Sequence, residues 1–289
     1  MKGTYLLLSI IIAFAHSGTS ELSVKNEGEV VGVLPKEVIT EPLLGEPVID
    51  HEKIEEFLDR MEQRVFQSPV NASIDKGENI IPGKEGYKLD RKAMFGRVSQ
   101  FYYSGGSTVV SAPLIPIHPK VDVELLSEIR EKQIGQYITY FNRKKKERAT
   151  NISLAVEAIN NHVVFPGETF SFNEVVGQRT KEKGYLSAPI IIKGKMYDGI
   201  GGGICQVSST LFNAVDKAGM EITQRYTHSK RVSYVPPGRD ATVSWHGPDF
   251  TFKNGYNQPI LLRAKTVGGM VVVQVFSSDR VNAEPRDIN

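Results

Sequence analysis

Apolar residues recur at helical spacing in several stretches of the chain. Segment 51–67 shows the spacing of three and four that is typical of an amphipathic helix, with apolar residues at Ile54, Phe57, Leu58, Met61 and Val65. The same reasoning predicts helices within residues 88–103 and 151–161. A further helix is predicted over residues 205–218, and Gly219 is expected to end it.

From Ser187 onward, short apolar segments separated by turn residues predict β-strands. Lys193 and Gly194 are predicted to form one hairpin turn, and Val-Gly-Gly at 267–269 another. The other strands are expected in EITQRYTH, RVSYV, DATVSWH, DFTFKN, PILLRAKT and MVVVQVF. The predicted fold class is therefore α+β. Its C-terminal domain is mainly antiparallel β around a central helix that carries Cys205, and a small N-terminal α/β module precedes it.

The N-terminus has the pattern of an export signal. Lys2 provides a positive charge, residues 5–15 form a short apolar core, and residues 13–15 are a small-residue cleavage site. A transmembrane helix needs about 20 apolar residues, and this run is much shorter. We expect residues 1–20 to be a signal peptide, with an uncleaved N-terminal anchor as the alternative.

The rest of the chain divides by its composition. Residues 21–50 have scattered prolines and acidic residues without a sustained period, which predicts a linker. Residues 51–118 are expected to form the small N-terminal module, because the Gly- and Pro-containing stretch 104–120 is typical of a boundary. Residues 119–289 then form the larger domain.

Composition and charge narrow the class of protein. The apolar fraction of 40% is ordinary for a globular protein, and the net charge of +2 gives no basis for nucleic-acid binding. Exported proteins that use cysteine for stability use it in pairs, yet this chain has one cysteine, Cys205. Cys205 is therefore a reactive thiol, an intermolecular partner or a small buried apolar residue.

Three blocks of the chain resemble successive blocks of the VanW family: NISLAVEAINNHVVFPGETFSFNEVVG, GIGGGICQVSSTLFNAVDKAGMEI and HSKRVSYVPPGRDATVSWHGPDFTFKN. Their order and spacing place the core of a VanW domain at about 137–276, within residues 119–289. The shorter stretch IIPGKEGYKLDRKAM is similar to a peptidoglycan-binding module that often precedes VanW domains, which implies wall binding for residues 51–118. The family is named from a glycopeptide-resistance gene cluster, and the resemblance implies a location in the bacterial cell envelope, outside the cytoplasmic membrane.

The position of Cys205 suits a nucleophile. It lies off the apolar face of its predicted helix and in the first turn, where unpaired N–H groups and the helix dipole stabilise a thiolate. Gly201, Gly202 and Gly203 have no side chains that would block a substrate. The backbone N–H groups from Gly203 to Cys205 are candidates for holding an oxyanion.

His228 and Asp240 follow Cys205 in the sequence, which predicts a Cys-His-Asp triad with His228 as the base and Asp240 as its orienting group. His228 is expected between two strands and Asp240 at the start of a strand. The order of the three residues is similar to that in transglutaminase-like enzymes and cell-wall peptidases. The alternative is a surface histidine and a loop carboxylate that pairs with Arg239.

Further polar residues are candidates for contacts with a substrate. Gln206, Ser208 and Ser209 lie on the same predicted helix as the cysteine and are expected to line its cleft. Arg239, like Arg179, has a guanidinium that can hold a substrate carboxylate through two hydrogen bonds. Positions on the helix surface and surface salt bridges explain these residues equally well.

A metal site is the third interpretation of the cysteine. Cys205, His228 and His246 carry zinc-binding atoms, but the sequence lacks paired spacings such as CxxC or HExxH. The glycine run also lacks the Gly-Lys-Ser/Thr of a phosphate-binding loop and the pattern of a dinucleotide site. We therefore expect no metal and no cofactor.

The sequence thus predicts an exported cell-envelope protein that acts on or binds peptidoglycan stem peptide. The enzymatic hypothesis is amide or acyl transfer or hydrolysis that depends on Cys205. The alternative is a peptidoglycan-binding or structural module of the envelope without catalysis. The expected partners are peptidoglycan or its peptides, with no nucleic acid, and a membrane only if the N-terminal segment stays uncleaved.

Overall fold

The computed structural model describes residues 20–43, 46–192 and 195–288. The predicted signal segment up to residue 19 and the predicted turn at residues 193 and 194 lie outside these ranges. The helices of the described ranges, α1 to α6 in chain order, are His51–Val65, Arg91–Ser104, Val123–Ile129, Lys146–Ile159, Phe172–Val176 and Ile204–Lys217.

The strands of the same ranges are numbered β1 to β18 in chain order. The first nine are Glu21–Asn26, Glu29–Pro35, Thr40–Leu43, Glu46–Ile49, Ser73–Ile74, Ile80–Ile81, Gly86–Leu89, Thr108–Ser111 and Leu114–Ile117. The second nine are Lys132–Tyr140, His162–Val164, Thr169–Ser171, Ser187–Ile192, Lys195–Ile200, Glu221–Gln224, Thr251–Lys253, Ile260–Val267 and Met270–Ser277. The predicted α+β class is confirmed.

The chain forms two compact units. The first contains the described part of residues 1–70 together with residues 84–119. Its main sheet has the order β2-β1-β8, with β1 antiparallel to β2 and parallel to β8. Helices α1 and α2 pack over a core of Leu22, Val24, Leu34, Ile39, Ile54, Phe57, Leu58, Met61, Val65, Leu89, Met94, Val98, Phe101 and Tyr102.

The predicted linker at 21–50 is wrong. Leu22 and Val24 alternate with polar residues along β1 and are fully buried, as short strands of period two require. Glu27 and Gly28, both with positive φ, turn the chain from β1 into β2. The prediction missed this hairpin because each strand is only six or seven residues long.

The helices predicted at 51–67 and 88–103 are confirmed as α1 and α2. Each begins at an aspartate whose carboxylate accepts a hydrogen bond from the backbone three residues later. Asp50 accepts from the N–H of Lys53 at 3.0 Å, and Asp90 from that of Ala93 at 2.9 Å. The stretch 104–120, predicted as a boundary, holds β8 and β9, which pair with β1 and β7 inside the first unit.

The second unit contains residues 71–83 and the chain from residue 120 onward. Its largest sheet is antiparallel throughout, in the order β10-β18-β17-β11. Gly268 and Gly269 have positive φ and form the predicted turn between β17 and β18. A second sheet has the order β12-β16-β15, and β13 pairs with β14 as a hairpin.

Helix α6 is the central helix of the second unit. The predicted apolar face is buried, and the polar side chains on its other faces are buried as well: Gln206, Ser208, Ser209, Thr210 and Asn213. Strand β10 packs closely on this helix, since a Cβ at Gly135 would overlap the carbonyl oxygen of Ala214. Cys205 is the exception in the first turns of α6 because it stays partly exposed.

The chain between β15 and β16 is irregular, so the strands predicted in RVSYV and DATVSWH are wrong. Its backbone groups bond to side chains of α6 in place of a neighbouring strand. Asn213 Nδ2 donates to the carbonyl of Arg239 at 2.8 Å, and Ser208 Oγ donates to the carbonyl of Ala241 at 2.6 Å. These bonds satisfy the buried backbone and make a strand ladder unnecessary.

Candidate active site

A cleft of about 790 Å³ opens at the N-terminal end of α6, and Cys205 is part of its wall. This volume lies within the range of about 300–1,000 Å³ that is usual for small-molecule sites. Its lining includes apolar side chains, among them Ile190, Ile191 and Trp245, and polar ones, among them His228. The cleft therefore offers both a surface for packing and groups for chemistry.

The structure brings Cys205, His228 and Asp240 together. His228 Nδ1 lies 2.6 Å from Asp240 Oδ2, and the backbone N–H of His228 donates to the same oxygen at 2.6 Å. The ring of His228 is close enough to Cys205 to lower the pKa of the thiol, and the sulfur itself contacts the carbonyl of Val243 at 3.5 Å and Thr242 Oγ1 at 3.8 Å. Because Nδ1 is engaged by Asp240, Nε2 is the nitrogen that is left for the thiol.

His228 and Asp240 belong to the irregular segment between β15 and β16, and not to strands as predicted. Their side chains are only 7% and 10% exposed. The two bonds to Asp240 fix both the backbone and the ring of His228, so the imidazole has a defined orientation toward Cys205.

The electrostatics of the three groups favour a thiolate–imidazolium pair. Burial alone raises the pKa of the Cys205 thiol, but the hydrogen bond and charge of His228 bring this pKa below its ordinary value. Burial lowers the pKa of His228, whereas Cys205 and Asp240 raise it, and the net direction is upward. Burial raises the pKa of Asp240, and its bonds to His228 lower it to below the usual range.

The first turn of α6 provides a hydrogen-bond donor next to the thiol. The helix begins after Gly203, which has φ +112° and offers no side-chain cap. The N–H groups of Ile204 and Gln206 bond to the carbonyls of Gly201 and Gly203. The N–H of Cys205 has no hydrogen-bond partner in the described part of the chain. It is therefore free for an oxyanion.

The predicted substrate contacts at Ser208, Ser209 and Arg239 need correction, because none of these side chains lines the cleft. Ser209 Oγ accepts from the N–H of Ala241 at 2.9 Å, and Arg239 Nε donates to Asn213 Oδ1 at 2.7 Å. Arg239 Nη2 also forms an ion pair with Asp216 of α6, at 2.8 Å. These residues fasten the segment of Asp240 to α6.

The three glycines before α6 have different positions. Gly201 and Gly203 line the cleft, and both have positive φ. Gly202 does not line the cleft. It packs against β13, where a Cβ would overlap the backbone of Ala188. The predicted substrate contact at Gly202 is therefore also corrected.

Gln206 lines the cleft, but its side chain is engaged in hydrogen bonds within the protein. Its Nε2 donates to Thr139 Oγ1 and to the carbonyl of Tyr140, each at 3.0 Å. Its Oε1 accepts from Arg148 Nη2 at 2.8 Å. Gln206 thus holds Arg148 at the cleft.

The sequence patterns did not indicate several residues that line the cleft. Arg148 is in the charged run at the start of α4, where lysines and arginines usually indicate a solvated surface. Trp245 and Tyr234 lie in the segments mistaken for strands. Burial raises the pKa of Tyr234 far above its ordinary value, so its hydroxyl stays protonated.

The three candidate zinc ligands, Cys205, His228 and His246, are not arranged as a metal-binding group in the described ranges. His246 lines the cleft together with Cys205 and His228. Within residues 20–43, 46–192 and 195–288, no group of three or more His, Cys, Asp or Glu side chains is placed to hold a metal ion.

Substituting Ser209 with alanine should destabilise the protein. The change leaves the buried N–H of Ala241 without its acceptor, which costs about 1–3 kcal/mol of unfolding free energy. Denaturant unfolding measures the loss. Ser187→Ala, at an exposed position on β13, is the control and should change stability by less than about 0.5 kcal/mol. Equal values for both variants would contradict this fastening role.

The fold and the cleft define an α+β protein whose buried central helix presents a cysteine to a histidine and an aspartate. Comparison with known proteins identifies the family. Residues 147–276 match the family described as "VanW like protein", and residues 17–110 match the one described as "Putative peptidoglycan binding domain". The chain belongs to the VanW family and carries a peptidoglycan-binding module before the VanW domain.

Two relatives support this assignment. The Bacillus subtilis (strain 168) protein "Uncharacterized protein YoaR" is 53% identical over 278 residues, which cover 96% of this chain and 92% of that protein. The Enterococcus faecalis (strain ATCC 700802 / V583) "Vancomycin B-type resistance protein VanW" is 28% identical over 144 residues, 48% of this chain and 52% of that protein. No solved structure matches the chain significantly.

The family matches make this a cell-wall-associated protein, with peptidoglycan as the indicated partner and the cell envelope as its location. None of the helices in the described ranges is long and apolar enough to cross a membrane.

Proposed function

We propose that the cleft is a thiol active site that cleaves or transfers an amide or acyl bond in a peptidoglycan stem peptide. Cys205 is the nucleophile, His228 carries the proton, and Asp240 orients His228. The observation that carries this proposal is the placement of Cys205 beside His228, whose ring is hydrogen-bonded to Asp240, in an open cleft. Export of the protein, by the predicted N-terminal signal, brings this site to its substrate.

In the first step, the Cys205 thiolate attacks the carbonyl carbon of the substrate and a carbon–sulfur bond forms. The carbonyl oxygen becomes negative, and the free N–H of Cys205 at the start of α6 stabilises it. His228 gives its Nε2 proton to the leaving amine as the carbon–nitrogen bond breaks. The product of this step is a thioester on Cys205.

In the second step, water or an amine attacks the thioester. His228 accepts the proton of the attacking group, and the thiolate leaves as the carbon–sulfur bond breaks. Water gives hydrolysis, and a second peptide amine gives transfer. The apolar lining residues Trp245, Ile190 and Ile191 support binding of a peptide rather than of a small polar molecule.

The first test is the pH dependence of Cys205 alkylation by iodoacetamide in the folded protein. Since His228 lowers the pKa of the thiol, the rate should rise with pH at a midpoint below the free-thiol value of about 8.5. In His228→Ala the midpoint should move up toward about 8.5, and the rate near pH 7 should fall about tenfold or more.

Substitution at His246 is the matched control. This histidine also lines the cleft but is not one of the three groups proposed to carry out the reaction. His246→Ala should retain the low midpoint. A thiol that reacts only after unfolding, or a midpoint unaffected by His228→Ala, would overturn the enzymatic proposal. The protein would then be a peptidoglycan-binding module of the envelope.

A further inference from the structure

Two arginines line the cleft beside Cys205, and neither has an anionic partner. Arg148, on α4, donates to Gln206 Oε1 at 2.8 Å. Arg179, in the loop after α5, donates to Asn173 Oδ1 at 2.7 Å and to the carbonyl of Gly177 at 3.3 Å. No ion pair involving either guanidinium occurs among the described residues.

The cleft contains no carboxylate that could balance these charges. Its described lining residues include the two arginines and two histidines, and no aspartate or glutamate. Asp249 acts on Arg179 from a distance, but its oxygens are occupied by the hydroxyl of Ser171 and by the backbone N–H groups of Asn173 and Phe250.

Both arginines are partly withdrawn from water. Burial lowers the pKa of Arg148 and of Arg179, although an arginine stays charged at any physiological pH. The Cys205 thiolate offsets part of this charge, but it forms its own pair with His228. Placing two partly buried cations without a counter-charge is costly unless an anion binds there.

The local structure holds both guanidiniums at the cleft. Gln206 fixes Arg148 through a side chain that is itself anchored at Thr139 and Tyr140. Arg179 is fixed by Asn173, whose amide nitrogen is bound to the carbonyls at residues 244 and 248. Each guanidinium still has N–H groups left, since five are available on every arginine.

We propose that Arg148 and Arg179 form a carboxylate-binding site, so that the substrate of the thiol carries a carboxylate close to the bond that Cys205 attacks. A planar carboxylate matches the forked donors of a guanidinium. This inference rests on the proposed function for its substrate, a peptide, but the anion site itself can be tested without any peptide.

The test compares two alkylating agents of similar size. Iodoacetate carries a carboxylate, and iodoacetamide is neutral. Both react by displacement of iodide, with a carbon–sulfur bond formed and a carbon–iodine bond broken. Since the same thiolate attacks both reagents, the fraction of thiolate cancels in the ratio of their rates, and the ratio reports the carboxylate alone.

We expect the iodoacetate-to-iodoacetamide rate ratio to be well above that of the unfolded chain. Arg148→Gln and Arg179→Gln should each lower it about tenfold, as expected for the loss of hydrogen bonds to a charged group. Arg148→Lys keeps the charge and should retain part of the preference. Arg143→Gln removes an exposed charge that does not line the cleft and should leave the ratio unchanged.

A second measurement tests the anion site even if Cys205 does not react. Trp245 is the one tryptophan of the chain and lines the cleft, so its fluorescence reports binding there. At matched ionic strength, acetate should change this fluorescence saturably in the wild type and not in Arg148→Gln. A thiol that reacts with neither reagent would overturn the proposed function but leave this assay to decide the anion site. An unchanged ratio in both glutamine variants, or a response to phosphate alone, would overturn the carboxylate site.

Discussion

Cys205→Ser is expected to abolish turnover of peptidoglycan stem peptides, with a loss of about 10⁴-fold or more. Removal of the nucleophile of a catalytic triad has an effect of at least this size. Serine keeps the size of the side chain, but its hydroxyl has a much higher pKa than a thiol and the Cys205–His228 ion pair is lost. Mass spectrometry of products released from isolated stem peptides measures the rate.

The covalent intermediate gives this prediction a second readout. Intact-protein mass spectrometry of the wild type should detect a thioester adduct on Cys205, and the serine variant should show none. Because Trp245 lines the cleft, its fluorescence can establish that Cys205→Ser still binds the peptide. Binding without turnover or adduct in the wild type would contradict the enzymatic proposal and favour a binding module.

The sequence predicted α1, α2, α4, α6 and the β17–β18 hairpin because their signals are local. The apolar spacing of α1 and the Gly-Gly turn between β17 and β18 each depend on residues that are close in sequence. The sheet that contains β1 was missed in part because the pairing of β1 with β8 joins residues more than 80 positions apart. No local pattern records such a contact.

The triad was predicted from residue types and chain order, and the structure brings its three members together. The substrate contacts were predicted less well because polar residues on a helix look alike in sequence. Ser209 and Arg239 bond to the backbone or side chains of neighbouring elements, and only the tertiary structure distinguishes this from a place in the cleft. Arg148 was missed because its partner Gln206 is 58 positions away.

Asp240→Asn is expected to lower turnover by about 10²–10⁴-fold with little change in KM. Asp240 Oδ2 accepts two hydrogen bonds from His228, one from the backbone and one from Nδ1. An amide that turns its nitrogen toward Nδ1 favours the wrong tautomer of the ring, so His228 can no longer serve Cys205 as a base. The loss falls on kcat because Asp240 does not contact the substrate.

The pH dependence separates this role from a general loss of structure. In the wild type the reactive pair exists above the lowered pKa of Cys205 and below the raised pKa of His228, so activity should have a maximum between them. Without the charge of Asp240 the pKa of His228 falls, because Asp240 is one of the groups that raise it. The variant should therefore show a narrower profile that ends at lower pH.

Asp216→Asn is the matched control for this prediction. Asp216 is also largely buried and paired with arginine, at 2.8 Å from Arg239 and 2.7 Å from Arg286, but it lies outside the cleft. Its substitution should lower stability and leave the pH profile of turnover unchanged. If Asp216→Asn and Asp240→Asn reduce turnover equally and with the same profile, Asp240 only supports the fold, and His228 is oriented by other contacts.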